Sequence, residues 1–292
     1  MFESILQVVL SGLQIGSIYA LMALGYFVII RATGILNFAQ GEWMMISGAL
    51  GVTLLALGVP YSIALVGAVV GSVGLALIAE RVIIRPLQER NAQQAITLLA
   101  LFGIMLVARY GTGVFFGRLD EPLEGPAGPG IIMLGDSSYL SHQTIVVYGA
   151  TAAIFLSVSL FMTKTWLGRS LRVASIDPLA ASLMGIDLNR VRMVSFGLGA
   201  LIAALCAWLY FPLYAVGYLN GVIPGIKGFI ALFLGGMASS MGPLAGGLLL
   251  GMAEVVASRY LPSIYSEGVA FVLLMVVLVV RPSGLIGGGE ES

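Results

Sequence analysis

The chain has 292 residues, 59% of them hydrophobic and 10% charged, with fourteen Lys/Arg balanced by fourteen Asp/Glu and a mean hydropathy of +1.03. Soluble domains carry about a quarter of their residues as charged side chains, so this composition excludes a water-soluble globular protein, and zero net charge leaves no electrostatic footprint for nucleic acid. A single cysteine, Cys206, and a single histidine, His142, exclude an internal disulfide and a two-histidine metal motif.

Several apolar runs approach the roughly 20 residues that cross a bilayer. The expected fold is all-α: a polytopic membrane protein of about eight or nine transmembrane segments, two of them discontinuous, forming one permease domain over residues 1–292. The opening MFESILQVVLSGLQIG lacks a basic leader and a clear cleavage site, and reads as the start of a first span over residues 5–30 rather than a removed signal. Gly12 and Gly16 sit there at helix-packing spacing. The next stretch, RATGILNFAQGEW, is too polar for lipid contact, and the apolar run that resumes at Met44 stops near Leu57. Residues 31–57 therefore read as a broken helix, with Asn37 to Glu42 at membrane depth. Residues 61–79 form a conventional span that ends in a polar turn, ERVIIRPLQERNAQQ. Residues 95–116 form another, with Arg109 near its far end, where the guanidinium can snorkel toward the headgroups.

Residues 117–142 make an acidic, Gly/Pro-rich connection, and residues 143–162 span again. Then comes the most polar stretch of the chain, residues 164–192, which holds Lys164, Arg169, Arg172, Arg190 and Arg192. A short helix is written inside it. Asp177 is a good N-cap, Pro178 suits the first helical position, and Gly185 can end the helix in a left-handed conformation. Leu179 and Leu183 lie i,i+4 apart and give that helix an apolar edge. A loop between spans needs no such helix of its own, so it reads as a docking element for another protein. Residues 193–216 span the membrane, and residues 226–257 hold FIALFLGGMASSMGPLAGGLLLGMAEVVA, a second broken-helix candidate interrupted between Gly235 and Pro243. The final span covers residues 269–280, followed by a short tail.

Lys and Arg in short loops set the orientation. Arg81, Arg85 and Arg90 lie in one connection and five more basic residues in residues 164–192. The connection between these two loops has Arg118 against Asp120, Glu121, Glu124 and Asp136. Both basic loops are therefore expected to be cytoplasmic, with residues 117–142 outside.

Glu42 and Glu254 are the acidic residues expected within membrane depth, where an ionisable group is costly and a functional role is the default reading. The alternative is that each caps a broken helix or bonds a neighbouring backbone. Asn37 and Gln40 add neutral donors and acceptors, so Asn37, Gln40, Glu42 and Glu254 form the candidate translocation pathway. The pairs Gly242/Gly246 and Gly247/Gly251 fit either helix packing or a hinge. No GxxxxGK[ST] phosphate loop occurs, and no Ser/His/Asp constellation is available. The chain is expected to be no enzyme, to bind no metal and no cofactor, and to use the lipid bilayer as its solvent.

Four stretches in order, GLQIGSIYALMALGYFVIIRATGILNFAQGE, GRSLRVASIDPLAASLMGIDLNRVR, LGGMASSMGPLAGGLLLGMAE and VVLVVRPSGLIG, resemble the permeases of branched-chain amino acid ABC importers, in particular the shorter permease type. The resemblance implies a multi-pass protein of the bacterial plasma (inner) membrane, paired with a second homologous permease in a heterodimer. It also implies two cytoplasmic ATPase subunits, which would hold ATP–Mg, and an extracytoplasmic substrate-binding protein. Asp177, Pro178, Ala180, Ala181 and Gly185 fall on the family's segment for coupling to an ATPase subunit, beside Leu179 and Leu183. Asn37, Phe38, Ala39, Gly41 and Glu42 fall on its first signature. Gln40 stands where the family usually has histidine; a hydrogen-bonding role survives that change and a proton-carrying one does not. Related permeases carry urea, short amides or other amino acids, and an ion-coupled secondary transporter is the alternative from a different class.

Overall fold

The structure is a computed structural model that describes residues 2–90, 92–117, 120–128, 130–133 and 139–286. Arg118 and Asp136, used above in the charge count, lie outside the described residues. The helices in chain order are α1 (Phe2–Thr33), α2 (Gln40–Ala56), α3 (Tyr61–Ala79), α4 (Arg85–Glu89), α5 (Gln94–Phe116), α6 (His142–Lys164), α7 (Trp166–Ile176), α8 (Pro178–Leu183), α9 (Leu188–Tyr210), α10 (Val222–Gly235), α11 (Met241–Tyr260) and α12 (Ser263–Val280). Six helical stretches are long and apolar enough to cross a membrane, and two shorter apolar ones cover Val222–Gly235 and Gly268–Val280. With α2 beside them, the expected eight or nine apolar segments are present among the described residues. The fold is a polytopic α-helical membrane protein.

The chain breaks at both expected places, but the second break is the turn of a hairpin: Cβ atoms at Gly246 and Gly235 would meet the Ala231 and Gly242 carbonyls, so α10 and α11 lie side by side, and α11 alone is long enough to span. Gly34, with φ of 66°, follows α1, and Gly236, with φ of 88°, follows α10; side chains other than glycine rarely take that backbone. The first break is shorter than the sequence suggested. It ends at Ala39, and Gln40, Gly41 and Glu42 already form the first turn of α2. Polarity alone made them look non-helical, yet helical backbone satisfies its own polar groups wherever it lies.

Two other stretches correct the sequence reading. The polar turn after α3 is mostly helix: a π-helical turn over Glu80–Ile84 leads directly into α4. Pro86 has no N–H to give the preceding turn, and a widened turn there accommodates its ring. The stretch at residues 164–192 holds a second helix besides the expected one. Thr165 caps α7 by accepting from the Gly168 amide at 3.0 Å, and α7 buries Gly168, Leu171 and Ala174 along one face.

The chain divides into two compact units. One comprises residues 1–27, 125–155 and 226–292, and the other residues 28–124 and 156–225. In the first, the α1 portion packs on α11 through small residues. A Cβ at Gly16 would come within 2.9 Å of the Gly247 carbonyl and the Leu248 Cα, so these backbones are in direct contact. Helix packing, rather than a hinge, is what the geometry gives for Gly247 and Gly251. The end of the described chain closes the second break: the amides of Leu285 and Ile286 donate to the carbonyls of Leu234 and Gly235 at 2.9 and 3.0 Å, satisfying acceptors that the end of α10 leaves open. A short hairpin pairs β2 (Ile131–Met133) with β3 (Tyr139–Ser141).

In the second unit α2, α3 and α9 form the core. Ser72 of α3 donates to the Trp43 carbonyl at 2.6 Å and Ser47 of α2 to the Ala204 carbonyl of α9 at 3.0 Å, while Tyr61 meets Trp208 edge-on at 5.2 Å. Strand β1 (Glu121–Pro122) pairs with β4 (Ala215–Val216). Apolar side chains such as Val66 and Val70 of α3 and Val107 and Val114 of α5 point outward, as expected of helices whose solvent is lipid.

Candidate functional site

Among the described residues, a buried charge pair stands near each helix break. In the second unit, Glu42 stands in the first turn of α2, where the helix N-terminus favours a carboxylate. From α5, Arg109 donates through Nη2 at 2.5 Å and Nε at 3.0 Å to the same oxygen, Oε1. The Glu42 side chain is only 2% exposed and that of Arg109 14%. Arg109 was expected to reach for the headgroups. Its position on α5 faces α2 instead, and a buried carboxylate one helix away is a better partner than distant water. Glu42 therefore neither caps a helix with its side chain nor bonds a backbone group among the described residues.

Beside this pair, Gln40 is fully buried and donates to the Gly199 carbonyl of α9 at 2.8 Å. Asn37 accepts from the Ala39 amide at 3.1 Å, which turns the chain into α2. Four buried atoms within residues 37–43 have no hydrogen-bond partner among the described residues: Asn37 Nδ2, Gln40 Oε1, Glu42 Oε2 and Trp43 Nε1. Buried polar atoms are rarely left open, and such a concentration is suited to ordered water or a polar solute.

In the first unit, Glu254 of α11 accepts from Lys227 Nζ of α10 on one carboxylate oxygen and from the Tyr19 hydroxyl of α1 at 2.9 Å on the other. The ammonium also stands 5.4 Å from the centre of the Tyr19 ring. The side chains of Lys227 and Glu254 are 11% and 15% exposed. Sequence reading singled out Glu254 and passed over Lys227 and Tyr19. The available signal was a lone lysine at the start of a long apolar stretch, since a basic and an acidic group held at membrane depth normally find each other.

The segment at residues 177–185 takes the shape its residues dictate. The Asp177 carboxylate accepts from the amides of Leu179 and Ala180 at 2.9 and 3.0 Å, and Gly185 has φ of 80°. Ala181 is buried against Ala32, Leu171 and Val191, whereas Leu179 and Leu183 are 71% and 82% exposed. Pro178 also lines a cavity of about 300 Å³ together with Arg31, Gly34, Ser175 and Arg192. A second cavity of about 380 Å³ is lined by Thr33, Gly34, Ile35 and Gln88. The first helix break thus has open space beside it.

These features define a multi-pass helical membrane protein with buried, paired charges beside breaks in its helices. The chain belongs to the family of branched-chain amino acid transport system permease components, whose model matches residues 8–278. It is 34% identical, over 99% of its length and 97% of the relative's, to the high-affinity branched-chain amino acid transport system permease protein LivH of Salmonella typhimurium. With BraD of Pseudomonas aeruginosa, a permease protein of the same description, it shares 33% identity over 98% of this chain and 96% of that one. A more distant likeness, 24% over 91% of this chain and 83% of the relative, links it to the ribose import permease protein RbsC of Escherichia coli. Among solved structures, PsaBC from Streptococcus pneumoniae in complex with Fab shares the fold, with a TM-score of 0.52, 15% identity and coverage of 95% and 91% of the two chains. The protein is a multi-pass component of a transport system in the inner membrane and not a catalytic enzyme.

Proposed function

We propose that this chain is the transmembrane permease subunit of an ABC importer and carries branched-chain or related hydrophobic amino acids across the plasma membrane. The observation that carries this reading is the near-full-length identity to LivH. Residues 1–292 act as one permease domain, with residues 164–192 on the cytoplasmic side and residues 117–142 outside. A second homologous permease completes the pathway, two cytoplasmic ATPase subunits bind and hydrolyse ATP–Mg, and an extracytoplasmic protein delivers the substrate. The chain has no phosphate loop of its own, so the driving force must enter through a docking surface.

The segment from Asp177 to Gly185 is that surface. Its Asp177 cap and its buried Ala181 fix the helix on the protein, and Pro178, Leu179, Ala180, Leu183 and Gly185 complete a contact whose exposed leucines suit an apolar groove on a partner. Movement of this rigid helix reaches the adjacent cavity and the first break, and from there Asn37, Gln40 and Glu42. An ion-coupled secondary transporter would need a carboxylate free to load and release a cation. Glu42 is sealed against Arg109, and a lone cation on Glu254 would strand Lys227 without a counter-charge, which favours the ATP-driven reading.

Replacing Leu183 with Asp places a charge on the exposed edge and leaves the buried edge intact. The variant should insert normally, yet lose the ATPase subunits during purification and lose ATP-dependent uptake. Normal co-purification and uptake by L183D sink the docking assignment.

A further inference from the structure

We propose that Lys227 and Glu254 form a zwitterion-exchange site, in which the α-carboxylate of a passing amino acid takes the place of Glu254 on Lys227 while its α-ammonium takes the place of Lys227 on Glu254. The inference rests on the transport reading above and names where in this chain the solute's two charges are met.

An isolated charge at membrane depth is expensive, so the pair cannot open into an apolar environment and leave either member bare. A cation alone could satisfy Glu254 but would strand Lys227, and an anion alone would strand Glu254. A neutral solute such as urea replaces neither charge. A zwitterion whose charges are a few bonds apart satisfies both, because each opposite-charge contact broken is replaced by another.

Three features separate this pair from Glu42–Arg109. Its cation is a lysine, a point charge on a flexible four-carbon stem that can swing aside without losing a fixed bidentate geometry. Its carboxylate is 15% exposed, whereas that of Glu42 is sealed at 2%. The Tyr19 hydroxyl, 2.9 Å from Glu254 Oε2, holds the carboxylate in place while its other oxygen changes partner. The pair also clasps α10 to α11 at the open end of their hairpin, so solute binding and separation of these two helices act on the same side chains.

The test uses the complete importer in proteoliposomes, with radiolabelled leucine as probe and ATP inside. ATP-dependent uptake by the wild-type complex tests the transport reading by itself. Two variants then test the site. K227M/E254Q removes both charges and leaves none unpaired, which for a purely structural pair is often tolerated. K227E/E254K keeps a pair but reverses it relative to the Tyr19 hydroxyl. The proposal expects both variants to co-purify with their partners and to take up leucine at least about tenfold more slowly, the scale of losing one charged contact. Uptake within about twofold of wild type by K227M/E254Q overturns the proposal, since a structural clasp tolerates that change. Loss of assembly in both variants overturns it as well, by assigning the pair to folding.

Discussion

The two helix breaks, one before α2 and one between α10 and α11, meet the same electrostatic problem in different ways. At the first, Arg109 places two N–H groups on one oxygen of a carboxylate sealed within α2 and α5. At the second, Lys227 offers a single point charge to a carboxylate that a tyrosine hydroxyl also holds, with both side chains partly accessible. A guanidinium fork on a sealed carboxylate makes a fixed joint, whereas an ammonium on a flexible stem and a more accessible carboxylate suit the exchange proposed above. The difference teaches that a buried charge does not itself mark a pathway; the rigidity of its partner and the access to the carboxylate separate a fastening from a binding group.

The largest expected effect is at the fixed joint. Arg109→Leu leaves Glu42 buried without a counter-charge and should cost about 3–5 kcal/mol, read as a large fall in the thermal midpoint of the detergent-solubilised complex. Adding Glu42→Gln should recover most of that loss, because no lone charge then remains. A midpoint for Arg109→Leu equal to that of the wild type would break the comparison by showing that the first pair fastens nothing. A smaller effect is expected at the crossing of α1 and α11. Gly16→Val forces apart backbones that now touch and should cost about 1–3 kcal/mol. That crossing helps hold Tyr19 over Glu254, so the substitution should raise the KM for uptake, and an unchanged KM with a lowered midpoint would separate packing from the exchange site. The smallest effect lies outside both pairs. Asp177→Ala removes one cap worth about 1 kcal/mol; amide exchange at Leu179 and Ala180 should quicken while the rest of the bundle keeps its protection.

Much of this was legible from the chain alone. The apolar run at residues 61–79 gave α3 its observed bounds, because lipid-facing helices advertise themselves in composition. Both discontinuities could be found from polar residues and glycines interrupting runs too short to span. Local chemistry also gave the Asp177 cap and the left-handed Gly185. The misses share a cause. Helix α7 was hidden because Arg169 and Arg172 made an amphipathic helix look like a charged loop. The Arg109–Glu42 contact joins residues 67 apart and Tyr19–Glu254 residues 235 apart, and no local pattern encodes such a meeting. Lys227 was overlooked because one charge vanishes in the average of an apolar run, although its isolation there was the informative feature. The terminal motif beginning at Arg281 read as a tail, and only the fold shows Leu285 and Ile286 closing the carbonyl end of α10.

The central claim is that ATP hydrolysed by partner subunits, and not an ion gradient, drives solute past these two breaks. Its most direct measurement is leucine uptake into proteoliposomes containing this chain and its second permease, with and without the ATPase subunits, under ATP or under an imposed proton or sodium gradient. The account predicts uptake only when the ATPase subunits, ATP and the binding protein are all present, with no response to either gradient. Gradient-driven uptake without the ATPase subunits would contradict it.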